Sequence, residues 1–252
     1  GKVVDDKRFK HTMALSLDPK SNYKQGLIRC VTSRKGNVNV EGFIDRSKLY
    51  KVRSKNGLWE FEITQPLKIK RTDKVIKDLL DNDLDFIGLE DPDIVVDPIT
   101  NISHVYFTIP FLNKSKNGSY RIYLGHAQGE DLDSLEMTPT LLPPNNLPTV
   151  SAKELSLAPI NKDGVRLNLI ESSEIVDEIK YSTVKVAIAP GLDSGWQFGE
   201  TIIHPKYDGF SWCAGHVSPG PLLPNKFINI GEGKRLGILN GREADTVVGD
   251  ET

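Results

Sequence analysis

The chain is poor in sulfur and carries almost no excess charge. Of its 252 residues only Cys30 and Cys213 are cysteines, far apart and outside any metal-ligand spacing. That excludes a disulfide-dense scaffold and a paired-cysteine zinc site. The two read as buried free thiols, with a disulfide left open. Lys and Arg total 32 against 34 Asp and Glu, a net charge of -2. No electrostatic footprint for nucleic acid or an anionic membrane results, so neither is expected as a partner. No apolar run reaches spanning length, and no charged-then-apolar leader opens the chain. A soluble cytoplasmic protein is the default; because the first residue is Gly1 rather than Met, a removed signal segment stays open. The glycines of GEGKRLG lack the strand–loop–helix setting of a phosphate cradle and read as a hairpin turn. No metal site is expected. His11, His104, His126 and His204 have no partners at ligand spacing and read as structural.

Short runs rich in Val, Ile, Leu, Tyr and Phe fill the chain, parted by Asn, Gly, Asp, Lys and Pro. The first group is Thr12–Leu17, Gly26–Thr32, Gly42–Val52 and Trp59–Ile69. The second is Ile94–Asp97, Val105–Ile109, Tyr120–Ala127 and Met137–Leu142. The third is Leu155–Pro159, Val165–Ser172, Thr183–Pro190 and Glu200–His204. A fourth begins at Phe210 and adds Lys226–Ile230 and Arg235–Arg242. One helix is expected over Asp73–Leu84, with Val75, Ile76, Leu79, Leu80 and Leu84 at helical spacing. Each full group holds about four short strands in roughly 50–60 residues, the period of a propeller blade. The fold class expected is all-β, a β-propeller over 1–252 as a single domain, with three full blades and most of a fourth. An antiparallel sandwich is the alternative. A closed ring usually needs more blades, because an open one leaves raw sheet edges.

The richest stretch is Phe86–Pro98, FIGLEDPDIVVDP, where Glu90, Asp91 and Asp93 stand beside a proline at the mouth of an apolar strand. Acids and proline are both depleted in strands, which points to a purpose beyond folding. In an extended segment Asp91 and Asp93 would share one face and Glu90 the other. Two acids on one face raise one another's pKa, which keeps a carboxyl protonated near neutral pH. Such a group can serve as a general acid. Asp18, Glu154 and Glu171, each near a strand end in another group, are candidates for the second carboxylate. Of the tryptophans, Trp59 and Trp196 read as packing, and Trp212, beside His216, as a stacking platform for a sugar.

These segments resemble the five-bladed β-propeller glycosidases and phosphorylases of glycoside hydrolase family 130. GLEDPDIVVDP is similar to that family's EDPR strand, and ALSLDPKSNYKQGLIRCVTS with IDRSKLYKVRSKNGLWEF to its opening blade. SAKELSLAPINKDGVRLNLIES and GHVSPGPLLP resemble two further family segments. The resemblance covers roughly residues 10–242, and its EDP and Gly-Pro turns are the specific part. It implies an inverting enzyme acting on a β-linked glycoside, such as a β-mannoside, with Asp91 as proton donor and water or phosphate as nucleophile. By the same resemblance Lys153 is a basic pocket residue, His216 a pocket histidine and Arg29 the first blade's arginine. The substrate-binding set expected is therefore Glu90, Asp93, Asp18, Arg29, Lys153, Glu154, Trp212 and His216. No cofactor is expected beyond inorganic phosphate as co-substrate. Two departures matter. Asp93 stands where the family has Arg, which removes a cation that phosphate recognition would use. Leu15-Ser16-Leu17 replaces the family's opening Asn-Pro-Ala. A second resemblance, to the propellers of glycoside hydrolase family 43, would assign three acids from successive blades, Asp18, Asp91 and Glu154. A carbohydrate-binding propeller without turnover is the non-enzyme alternative.

Overall fold

The computed structural model describes residues 3–4, 6–36, 43–57, 59–115, 119–142, 151–223 and 228–243. The chain divides into two compact units, Gly1–Pro143 and Pro144–Thr252. The fold is all-β, with short helices only in the connections.

The first unit opens with a four-stranded antiparallel meander, β1 (His11–Leu17), β2 (Gln25–Lys35), β3 (Ile44–Ser54) and β4 (Phe61–Pro66), in the order β1-β2-β3-β4. Ile28, Cys30, Val52, Phe61 and Ile63 form its core. Helix α1 (Thr72–Leu79) leads to the second sheet, built from β5 (Leu84–Phe86), β6 (Glu90–Val96), β7 (Ser103–Asn113), β8 (Tyr120–Gly129) and β9 (Glu136–Met137). Both β5 and β6 pair with β7, β5 against Phe111–Asn113 and β6 against Ser103–Thr108. They are one edge strand interrupted at Ile87–Leu89. Every residue from Ser103 to Phe111 is buried, and from Val105 onward the run is apolar, aromatic or β-branched on both faces. Val105, Phe107, Ile109 and Phe111 meet Val75 and Ile76 of α1 in the largest core cluster.

The second unit holds another four-stranded antiparallel meander, β10 (Lys153–Ser156), β11 (Arg166–Val176), β12 (Ile179–Ala189) and β13 (Gln197–Ile203). After the single turn α2 (Pro205–Asp208) comes a two-stranded ribbon, β14 (His216–Leu222) with β15 (Gly237–Arg242). Val184, Cys213 and Val217 form a small core there.

Three expectations change. The helix expected over Asp73–Leu84 ends at Leu79, because Asp81 turns the chain: its side chain accepts from the Asp83 backbone N at 2.9 Å. Short polar side chains compete with the helix in this way, and Leu84 is freed to pair in β5. The run Met137–Leu142 keeps only Glu136–Met137 as a strand; Pro139, which has no N–H to donate, follows it. Trp59 is 81 % exposed and packs nothing, whereas Trp196 is buried and donates to Gly191 O at 3.0 Å. Both cysteines are buried and free, as expected. Gly42, Asn39, the middle of the Asn113–Ser119 turn, Pro224, Lys226, Phe227 and the tail beyond Glu243 lie outside the described residues. Residues 228–230, the rest of the KFINI run, take no regular structure.

The three larger sheets repeat one irregularity. The first strand of each loses register with its neighbour, between Met13 and Ser16, between Glu90 and Asp93, and between Lys153 and Leu155. At each break sits a non-glycine residue in the left-handed region: Ala14 (φ 53°), Asp91 (φ 48°) and Glu154 (φ 50°). Such a conformation costs roughly 1–2 kcal/mol per residue, so three repetitions mark a device of the fold. The residues paired just before each break are Met13 with Arg29, Glu90 with Thr108, and Lys153 with Glu171.

Candidate functional site

The break in β6 decides how its acids are arranged. With Asp91 bulged, strict alternation fails, and the expectation that Asp91 and Asp93 share a face is corrected. Glu90 and Asp91 converge on Arg29 of β2. The guanidinium donates to Glu90 Oε1 at 2.5 Å and to Asp91 Oδ1 and Oδ2 at 3.1 and 3.3 Å. Its Nε donates to Ser47 Oγ at 2.9 Å, and that hydroxyl donates on to Glu90 Oε1 at 3.1 Å. Ser47 is held in turn by backbone contacts at the β5–β6 interruption. Its N donates to Ile87 O at 3.0 Å, and Gly88 (φ 131°) lies so close that a Cβ would fall 1.9 Å from Ser47 O. Only glycine fits there. The network therefore draws on β2, β3 and β6 and leaves Asp91, with 21 % of its side chain exposed, as the carboxylate most open to a ligand.

Asp93 is apart from this fork. It accepts from Ser16 Oγ at 3.3 Å, and the same hydroxyl accepts from Ile94 N at 3.0 Å. Burial pushes its pKa up to about 6, with the Ser16 and Ile94 bonds opposing. The raised carboxyl of this stretch is thus Asp93, and burial, not a paired acid, raises it.

In the second unit, Lys153, Glu171 and His216 come together. Lys153 Nζ lies 3.1 Å from Glu171 Oε1, to which Ser182 Oγ donates at 3.1 Å, and His216 Nε2 lies 3.4 Å from Glu171 Oε2. Glu171 is 3 % exposed, and burial pushes its pKa up to about 7 against the opposing charge of Lys153. Burial, aided by Lys153, holds His216 below its ordinary value. A cavity of about 240 Å³ opens beside them. Glu154 occupies the bulge of β10, the counterpart of Asp91. Its influence raises the pKa of Glu171.

The remaining expected residues stand elsewhere. Asp18 caps the short 3₁₀ turn Pro19–Ser21, accepting from Lys20 N at 2.9 Å. The first sheet's counterpart of Asp91 and Glu154 is Ala14, so the three-acid reading finds no acid at that place. Trp212 lies over β15: a Cβ on Gly241 would sit 2.3 Å from its ring. The indole is 40 % exposed and stacks with Phe210 at 6.1 Å. His204 caps α2 through its side chain, accepting from Lys206 N. His104 Nδ1 lies 2.9 Å from His126 Nε2 in the buried interior of the second sheet. Sequence reasoning missed Ser47 and Ser16. Ser47 sits inside the SKLYKVRS run, but nothing in its spacing foretold that it would brace an arginine. Among the described residues no group of three His, Cys, Asp or Glu could hold a metal ion, and no helix is long and apolar enough to cross a membrane.

No family model matches the chain, and no curated protein sequence does. Solved structures do. A β-1,2-mannobiose phosphorylase from Listeria innocua, solved with β-1,2-mannobiose, superposes with a TM-score of 0.51 at 15% identity. The match covers 94% of this chain and 61% of that one. A candidate glycosidase from Bacteroides thetaiotaomicron gives a TM-score of 0.56 at 17% identity over 92% of this chain and 63% of the other. The likeness is one of fold, and the chain spans less than two thirds of either structure's length.

Proposed function

We propose that the protein cleaves a β-linked glycoside, a β-mannoside in the first instance, by an inverting mechanism with Asp91 as general acid. The observation that carries this reading is the Arg29 fork. A carboxylate set at a left-handed bulge, open to ligand and braced through Arg29 and Ser47, is held with the fixed geometry that proton transfer needs. The EDP context of Asp91 and the fold shared with a mannobiose phosphorylase support it. To act as an acid, Asp91 has to exchange its contact with Arg29 for a proton and the glycosidic oxygen. A bound sugar hydroxyl accepting from Arg29 would free it to do so.

Water is the nucleophile we favour. Asp93 adds an acid where a phosphorolytic site would use a cation, and its partner is a serine. Product analysis with and without phosphate tests this. Hydrolysis predicts a free reducing sugar of inverted configuration in both samples. A sugar phosphate formed only in the presence of phosphate would contradict it.

One observation favours a second reading, a binding protein without turnover. Both Glu90 and Asp91 are already satisfied by Arg29, an arrangement that also serves to hold a sugar rigidly. Retention of a β-mannoside through long incubation with no product would select that reading.

A further inference from the structure

The first unit holds a cavity of about 350 Å³ that the Asp91 site does not use. It arises where β4 stops. Pro66 is the last residue of that strand and has no N–H to extend the ladder. Leu67 N still donates to Leu49 O at 2.9 Å. Beyond it the edge of β3 is met only by the interruption between β5 and β6, through the Ser47–Gly88 bridge. Between these two attachments Leu49, Pro66, Leu67, Phe86, Ile87 and Leu89 wall an apolar groove. No carboxylate, histidine or cysteine lines it, so it offers a seat and not a reaction.

The lining selects the ligand's chemistry. Its only charged residues are Arg46 and Lys48, both cations. Arg46 is already committed, donating to Phe86 O at 3.0 Å and pairing with Asp85 at 2.5 Å. Lys48 is exposed and makes no hydrogen bond or ion pair with any described residue. A cationic ligand would meet two like charges. A bare inorganic anion would gain nothing from apolar walls, and a sugar would press hydroxyls against surfaces that cannot pair them. An apolar body with one anionic head suits both the walls and the lysine, and gains about 25 cal/mol for each Å² of apolar surface covered. The volume lies at the lower end of the roughly 300–1,000 Å³ of small-molecule sites, which fits a short chain or a single ring and not a protein partner.

We propose that this groove binds a small anionic amphiphile, a medium-chain or aromatic carboxylate, as an effector of the Arg29 network. Ser47 and Gly88 belong to the lining. Gly88 packs against the Ser47 backbone with no room for a Cβ, so an occupant that displaces one displaces the other. Ser47 Oγ accepts from Arg29 Nε and donates to Glu90, which carries that displacement to the acids on the far side of β3. The assignment is independent of the glycoside reading, because it concerns binding alone.

NMR titration of the full chain, labelled at Ile and Leu methyls and Arg side chains, tests it with octanoate, octylammonium and acetate as probes. Octanoate is expected to shift the methyls of Leu49, Leu67, Ile87 and Leu89, and acetate to shift none. Octylammonium is expected to bind at least about threefold more weakly than octanoate, the scale of one exposed ion pair. Lys48→Glu, at an exposed position, should reverse that order. The Arg29 Nε–H signal is expected to move with the methyls. No octanoate binding, shifts confined to other methyls, or equal affinity for octanoate and octylammonium would overturn the site. An Arg29 signal that stays fixed at saturation would overturn the effector role.

Discussion

Arg29 is the residue on which the first unit's acids depend. It is 13% exposed in its side chain and serves Glu90, Asp91 and Ser47 at once. Removing one partner of a buried ion pair leaves the other charge uncompensated, at a cost of about 3–5 kcal/mol. Arg29→Leu is accordingly expected to lower unfolding stability by that amount in a urea titration, far more than Arg53→Leu at the exposed pair with Glu62. Asp93 gives the opposite signature. Its folded pKa, raised to about 6, exceeds its unfolded value, so the folded state binds the extra proton. Its contribution is fully present below about pH 4 and is lost as pH rises through 6. The loss is on the order of 2–3 kcal/mol. Asp93→Asn should flatten that part of the stability profile. That these acids mattered was legible in the sequence, because three carboxylates and a proline are out of place at an apolar strand. Which of them pair was not, since a single bulge exchanges the faces.

At the scale of elements, the strands were readable and their irregularities were not. The run Val105–Ile109 is apolar, aromatic or β-branched and forms the buried centre of β7, while in the run Thr183–Pro190 only Thr183, Val184, Ala187 and Ala189 are buried in β12. The bulges at Ala14, Asp91 and Glu154 leave no common mark, because an alanine, an aspartate and a glutamate take the same left-handed turn. Tertiary pairing imposes it. Ala14 has no ligand role to offset its strain, so Ala14→Gly is expected to stabilise by about 0.5–1 kcal/mol. Thermal unfolding would show this as a rise in Tm. Gly88→Ala should do the reverse. With a Cβ 1.9 Å from Ser47 O and φ at 131°, it is expected to cost at least about 2–3 kcal/mol. It should also loosen Arg29, because Ser47 has to move.

For the whole molecule, the repeat of about four strands per group was visible in the sequence, and three antiparallel meanders answer to it. The helix end and the short β9 were missed where polar turns and a proline override periodicity. Sequence comparison finds no family, yet the fold superposes on two glycoside-related structures. This is what a scaffold set by alternating burial allows at 15–17% identity. Function has to be argued from the site, and the site's central claim is that Asp91 protonates the leaving group. Leaving-group dependence tests it most directly. Asp91→Asn is expected to lower turnover of β-mannobiose by about 10²–10⁴-fold in a chain that still folds, because Glu90 continues to compensate Arg29. It should spare an activated aryl β-mannoside, whose leaving group departs without a proton. Equal losses on both substrates, or unchanged turnover of the disaccharide, would contradict the assignment.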